Sequence, residues 1–411
     1  MGVKGNLLFK FSIIIFLLVA LASPVPVFCN PDSAPILSRQ ARISILTCGT
    51  GTELYEAFGH SAIRIQDPEQ ALDLVFNYGV FDFEQENFYG NFAMGYLKYM
   101  LGLSPMEDFL YAFKRDNRSV REQVLNLDSI EKHKILTYLE VNLRPENRMY
   151  FYDYFYNNCS TKIAELLDSA LGHRVAWNHA EQKGHQSFRS LIRQYTLFQH
   201  WGRLGIDLGL GAPIDRPIRP QDRMFLPDGL EQDLNRARIS RGGVLFPLVL
   251  ENKVLYQAPA AFGEGPVWLQ PGFIFSLLLL FSVFLFLKSK DLFKLRKIWA
   301  LALLFLVSAL GWVELLIWLF TNHKAAAWNY NILWANPLWI VLFVYNLVWR
   351  HKNIWLHTGI RMYYAAILVL WFLLPQQINE NLIPLVLALL VNSLPGEMAA
   401  REAKKAPVAA G

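Results

Sequence analysis

A cysteine and a histidine carry the chemistry that this sequence points to. Residues 150–172 read YFYDYFYNNCSTKIAELLDSALG, an aromatic, β-prone half followed by a helical half. Ile163, Leu166, Leu167, Ala170 and Leu171 recur at helical spacing, Asn157 and Asn158 are good N-cap residues, and Gly172 suits the position after a helix end. Cys159 therefore falls in the first turn of a helix, just after an expected strand. There the helix dipole and the free backbone N–H groups favour a thiolate, and the same N–H groups can hold an oxyanion. Taken alone, a cysteine reads more readily as a small core residue. The helix-start position and a suitable base elsewhere reverse that balance. The base is His60, set between Gly59 and Ser61 so that its backbone can approach other elements, and leading into the alternating strand Ala62-Ile63-Arg64-Ile65.

A thiol enzyme also needs a group that orients the base. The stretch LDLVFNYGV, residues 72–80, reads as an antiparallel partner of the His60 strand, joined through a turn at Asp67-Pro68. Asn77 and Asp82 are its polar candidates, and the pattern does not choose between them. Tyr78 is a candidate oxyanion donor. The bland alternative is that Asn77-Tyr78-Gly79 is a plain turn. The three cysteines are Cys29, Cys48 and Cys159, too few for a disulfide scaffold in an exported domain. A Cys48–Cys159 bridge would block thiol chemistry and competes directly with the nucleophile reading. His173, His179 and His185 suit neither a helical face nor a zinc spacing and read as loop residues, so no metal and no cofactor is expected.

The elements that must position these groups follow in order. Residues 39–47 read as a strand and Cys48-Gly49-Thr50-Gly51-Thr52 as a flexible turn. Helix is expected over 105–114, strand over 120–127, and a helix capped by Asp128, with Glu131 completing a capping box, to about Leu143. Residues 187–198 form an amphipathic helix, 202–220 a Gly- and Pro-rich loop, 227–239 a short polar helix and 252–265 an exit linker. The domain order is then a signal peptide or signal anchor (1–29), an α+β exported domain (30–265), an all-α membrane domain (266–396) and a cytoplasmic tail (397–411).

The 411 residues are 53% hydrophobic, with charge concentrated in 30–265 and long apolar runs in 266–395. The opening FSIIIFLLVALA behind Lys4 and Lys10 is the export signal. Five apolar segments follow the exported domain, at about 267–287, 298–320, 332–349, 354–374 and 382–394. The net charge of +5 does not imply nucleic acid. Much of it lies beside apolar segments, as in KSKDLFKLRK, and such basic ends mark the cytoplasmic side. The exported domain and the loop 321–331 then share the other side. Glu314 sits in the middle of the second segment. An ionisable residue there is a functional candidate by default, the alternative being a structural hydrogen bond between helices.

An Asn-Asn-Cys helix start after a strand is how papain-like enzymes present a nucleophile. Histidine first and cysteine 99 residues later is the order of the circularly permuted branch of that fold. LTCGTGTELYEAFGHSAIRI, NYGVFDF and YDYFYNNCSTKIAELL together resemble the Lnb-type periplasmic domain, a family of Gram-negative envelope proteins associated with lipoprotein N-acylation. His323 and the run from Trp328 to Leu338 are similar to that family's loop between membrane helices. The resemblance implies a membrane-bound thiol acyltransferase in the inner membrane, with its catalytic domain in the periplasm. It would move a fatty acyl chain from a phospholipid to the N-terminal amine of a lipoprotein, with Cys159 and His60 as the catalytic pair. Asn158, Tyr78, Glu314, His323, Asn329 and Asn331 are the substrate-binding candidates. Two other readings use the same residues: a cell-wall cysteine amidase or peptidase, with water as acceptor, and a non-enzymatic membrane assembly protein whose cysteine is structural.

Overall fold

The structure is a computed structural model that describes residues 37–81, 84–179, 186–259, 265–348 and 354–394. The expected signal segment, Cys29, Asp82, His185 and the tail 397–411 lie outside the described residues.

The N-terminal region is built on strands β1 (Arg42–Cys48), β2 (His60–Asp67), β3 (Leu72–Phe81), β4 (Lys98–Pro105), β5 (Val120–Leu125) and β6 (Met149–Phe151). Helices α1 (Phe88–Met94) and α2 (Met106–Arg115) flank β4, α3 (Ser129–Leu143) follows β5, and α4 (Cys159–Leu171) follows β6. After the short β7 (Val175–Ala176) come α5 (Phe188–Tyr195), α6 (His200–Gly209), α7 (Pro227–Arg236), β8 (Arg238–Arg241), β9 (Val244–Pro247) and β10 (Val249–Tyr256). The main sheet has the order β10-β5-β1-β2-β3-β4-β6, and its pairings are antiparallel. Strand β7, β8 and β9 form a second, small sheet.

Alternation along the strands gives the main sheet two apolar faces. Ile43, Ile45, Ile63, Ile65, Phe76 and Tyr78 pack against Ile135 and Leu139 of α3, Ile163 and Leu167 of α4 and Leu230 and Leu234 of α7. Leu46, Cys48, Ala62 and Val75 turn the other way, against Met106 and Phe109 of α2. The expected β2–β3 hairpin forms around Pro68–Gln70, and the Asp128–Glu131 capping box closes the start of α3 as expected.

Three expectations are corrected. Residues 202–220 are not loop throughout, because α6 occupies 200–209. Residues 252–265 do not begin as a linker, because β10 pairs with β5 at the edge of the main sheet. The expected helix over 227–239 ends at Arg236, and the chain then turns into β8.

The C-terminal region is helical: α8 (Pro271–Leu287), α9 (Phe293–Phe320), α10 (Trp339–Val348), α11 (Ile354–Leu370) and α12 (Ile383–Ser393). Among the described residues α9, with 28 residues, is long and apolar enough to cross a membrane by itself, and the other four are shorter apolar helices. Their core joins Val307, Trp334, Tyr364, Trp371 and Val386, and Leu204 of α6 enters the same cluster.

Helix α6 is thus the joint between the two regions. Asp207, 1% exposed, accepts hydrogen bonds from Arg189 at 2.6 Å, Arg193 at 3.1 Å and Asn379 at 2.9 Å. Arg189 is fully buried and also binds Asp215 and the carbonyls of Leu210 and Gly211, so neither charge is left uncompensated.

Candidate active site

Cys159 opens α4, held by a cap that explains its position. The Asn158 side chain accepts from Ser160 N–H and Thr161 N–H, both at 2.9 Å, and Thr161 Oγ1 accepts from Asn158 N–H at 2.7 Å. Asn158 Nδ2 donates to the carbonyls of Tyr154 and Phe225, both at 2.7 Å. Asn158 is 3% exposed, and both ends of its amide are taken by the protein, so its visible role is to cap and anchor α4. The cap also consumes two of the first-turn N–H groups expected for an oxyanion. The Cys159 N–H is not engaged by it.

The approach to Cys159 differs from the expected strand. Strand β6 ends at Phe151, and a turn follows in which Asp153 and Asn157 pair backbone to backbone. Tyr150 on β6, and Tyr152 and Tyr154 beyond it, lie within the electrostatic reach of the Cys159 thiolate.

His60 begins β2, opposite Cys48 on β1. Gly59 precedes it at φ +77, and a Cβ there would stand 2.6 Å from the Cys48 carbonyl oxygen, so this turn requires glycine. On the neighbouring strand Asn77 Oδ1 lies 2.5 Å from His60 Nε2. An amide oxygen can only accept, so Nε2 donates and Nδ1 is the ring nitrogen left for the thiol. The imidazole also stacks on Phe113 with centroids 6.4 Å apart, and the Arg118 guanidinium sits 4.7 Å from the centre of the same ring.

Strand β3 makes room for the thiol. A bulge between Tyr78 and Val80 leaves Gly79 at φ +92. A Cβ built on Gly79 would lie 3.8 Å from Cys159 Cβ and 3.8 Å from Tyr152 Cε2. Cys159 and the Tyr152 ring edge therefore meet over one glycine. Nothing in the sequence singles out Tyr152, whose neighbours are equally aromatic.

The electrostatics separate the two described cysteines. Burial pushes the Cys159 thiol up, but the His60 imidazolium, its hydrogen bond, the Ser61 N–H and the Ser160 hydroxyl outweigh it and bring the thiol down to about 7. Burial opposes charge on His60 too, and the Cys159 thiolate, with the hydrogen bonds to Cys159 and Asn77, lifts it above its usual value. Cys48 is 1% exposed, and burial drives its thiol far upward despite Arg118. Both cysteines are free, so the competing disulfide is absent.

The remaining candidates scatter. Tyr78, expected as an oxyanion donor, is 2% exposed, packed in the core beneath the sheet and edge-on to Tyr150. Burial first, then the charges of Tyr138 and Glu165, raise its pKa. Asn329 and Asn331 are buried in the joint, where Asn329 Nδ2 donates to the Leu208 carbonyl and Asn331 Nδ2 to that of Asp207. His323 is exposed at the end of α9, and its Nε2 donates to the Phe92 and Ala93 carbonyls of α1 at 3.2 Å. Glu314 is 3% exposed within α9, with both carboxyl oxygens buried and no hydrogen-bond partner among the described residues. His173 and His179 are apart from the site, and no metal-binding cluster occurs among the described residues.

Residues 34–194 match the family model of the Lnb N-terminal periplasmic domain, and residues 264–401 match that of the Lnb transmembrane domain. Together they span most of the chain. Neither a search of curated proteins nor one of solved structures found a match.

Proposed function

The chain belongs to the Lnb family, inner-membrane proteins with a periplasmic domain that are tied to lipoprotein N-acylation, and from that premise we propose that it is the acyltransferase itself, working through a Cys159 thioester. The observation that carries the reading is the Cys159–His60–Asn77 arrangement at the start of α4, in a chain whose next region is membrane helix. The proposed fold type is a permuted papain-like domain on a platform of five membrane segments.

In the proposed reaction the Cys159 thiolate attacks the ester carbonyl carbon of a phospholipid acyl chain. The tetrahedral oxyanion is held by the Cys159 N–H and the Tyr152 hydroxyl, which stays protonated because burial keeps its pKa well above the ordinary range. The ester C–O bond breaks, the lysolipid oxygen takes the proton of the His60 imidazolium, and the acyl group remains on sulfur. The lipoprotein's terminal amine then attacks the thioester. His60 takes the amine proton as the C–N bond forms, and the thiolate leaves. Asn77 holds the imidazole with Nδ1 toward sulfur throughout. Mass spectrometry of lipoprotein N-termini from cells with and without this protein tests the reading. N-acylated termini should appear only with the intact Cys159 protein, and identical termini in both cells would refute it.

A further inference from the structure

Resting on that reading, we propose that the periplasmic lipid leaflet is itself a ligand of the catalytic domain. Helix α1 with residues 95–97, and the α5–α6 junction, sit in the headgroup layer on either flank of the Cys159 site and hold its mouth against the bilayer.

The first flank is helix α1, whose sequence is FYGNFAM, and no charged side chain occurs from Phe88 to Leu97. Tyr89 is 82% exposed, Phe92 58% and Tyr96 50%, an aromatic group that a water-facing surface would have to hydrate. Its depth is fixed by a membrane helix. Asn322 N–H donates to the Met94 carbonyl at 2.8 Å, and His323 holds the carbonyls of Phe92 and Ala93. A Cβ on Gly95 would lie 3.1 Å from His323 N. These partners follow directly on α9, whose last turn leaves Leu319 and Phe320 exposed. Helix α1 therefore lies at the level where α9 leaves the hydrocarbon. Aromatic side chains collect at that level because one end of the ring is apolar and the other meets water.

The second flank is built alike. Phe198 and Trp201 are each 50% exposed at the start of α6. Trp201 Nε1 donates to the Leu269 carbonyl at 2.7 Å, and its ring meets Phe275 of α8 at 6.2 Å. Trp268, 61% exposed, continues the group at the foot of α8. Gln199 Nε2 donates to the Thr52 carbonyl at 2.9 Å, and Leu54 lies against Gly202. This flank thus holds the segment 49–59 that leads into His60, whereas α1 follows the strand that carries Asn77 and Gly79. A phospholipid can then reach Cys159 from the bilayer between the two flanks.

The test reads position without turnover, so it is independent of whether the acyl transfer occurs. Full-length protein carrying Cys29→Ser and Cys159→Ser is given one new cysteine, by Tyr89→Cys, Phe92→Cys or Phe198→Cys, labelled with bimane and placed in phosphatidylethanolamine/phosphatidylglycerol nanodiscs. Ile130→Cys on α3, 68% exposed, is the water-facing control. The first three labels should lose emission to nitroxide-bearing phospholipid and resist aqueous iodide, with the control doing the reverse. Quenching of all three by iodide, with none by the lipid nitroxide, would overturn the proposal. Expected quenching beside unaltered lipoprotein termini would leave this surface standing and refute only the transferase reading.

Discussion

Asn77 Oδ1 lies 2.5 Å from His60 Nε2 across the β2–β3 pair, so one of the two orienting candidates in the sequence is in contact with the histidine. It fixes the tautomer of the imidazole and, through it, the nitrogen that faces Cys159. Asn77→Ala should lower acyl transfer by about 10², the scale expected when a catalytic group is misplaced by an ångström. The thiol should still titrate near 7, because His60 remains beside it. Alkylation of Cys159 followed against pH, together with the transfer rate, separates orientation from charge. An unchanged transfer rate would mean that another group holds the ring.

His60→Gln should act on charge as well as orientation. With the imidazolium gone, burial is the largest influence on Cys159, and the thiol should rise from about 7 to above its ordinary 9.0. Loss of a thiol proton needs pH above the pKa, so the alkylation midpoint should move to higher pH. At pH 7 the rate should fall by roughly 10², two pH units' worth of thiolate. A superimposable profile for both proteins would remove His60 as the partner of Cys159.

The strands that carry His60 and Asn77 and the capped helix are legible in the sequence because local chemistry decides them. Asn158 caps α4, Asp128 and Glu131 box α3, and alternation marks β2 and β3. Helix α6 was hidden because HWGRLGIDLG carries three glycines, each unfavourable in a helix, and long-range partners hold it: Leu204 in the membrane-domain core and Asp207 in the ion-pair network. Strand β10 was hidden because it is an exposed edge strand, VLENKVLY, that shows no clean apolar face and is defined by backbone pairing with β5. Tyr152 was hidden because only the fold brings it over Gly79. Asn329 and Asn331 read as polar loop residues, but what they do depends on α6, which the sequence did not show.

Close packing between α9 and the following loop makes a stability test. A Cβ on Gly311 would stand 1.6 Å from the Ala335 carbonyl oxygen, a backbone atom that cannot rotate away. Gly311→Ala should destabilise by about 1–3 kcal/mol or more, as overpacking does. Gly205→Ala, where nothing lies within 4 Å, should instead stabilise α6 by up to about 1 kcal/mol. Thermal unfolding of the purified proteins in one detergent compares them. Equal melting of Gly311→Ala and the parent would deny the close crossing.

Helix α9 joins Lys294 and Arg296 at its start to His323 just beyond its end, and its basic end should face the cytoplasm. Reporter fusions after Lys290 and after His323 should give opposite signals, cytoplasmic at the first and periplasmic at the second. The same signal at both would take α9 out of the membrane.

The covalent intermediate is the strictest test of the proposed chemistry. Passing an acyl chain from lipid to amine through one thiol requires that the chain rest on Cys159 between the two steps. At pH 7 about half of the thiol is thiolate, and His60 stands ready to protonate the departing lysolipid oxygen. Cys159 is only 9% exposed, so water reaches the thioester poorly and the adduct should last. Purified protein given phospholipid but no acceptor should gain the mass of one fatty acyl chain. Neutral hydroxylamine should remove it, because it cleaves thioesters readily. Cys159→Ser should stay folded, with no hydroxylamine-labile adduct and no transfer. Cys48→Ser should still form the adduct, since the Cys48 thiol is held protonated by burial and lies outside the mechanism. If intact-mass measurement finds no adduct, and transfer proceeds only with donor and acceptor present together, the thioester route is excluded and the acyl chain must pass directly from the phospholipid to the lipoprotein amine.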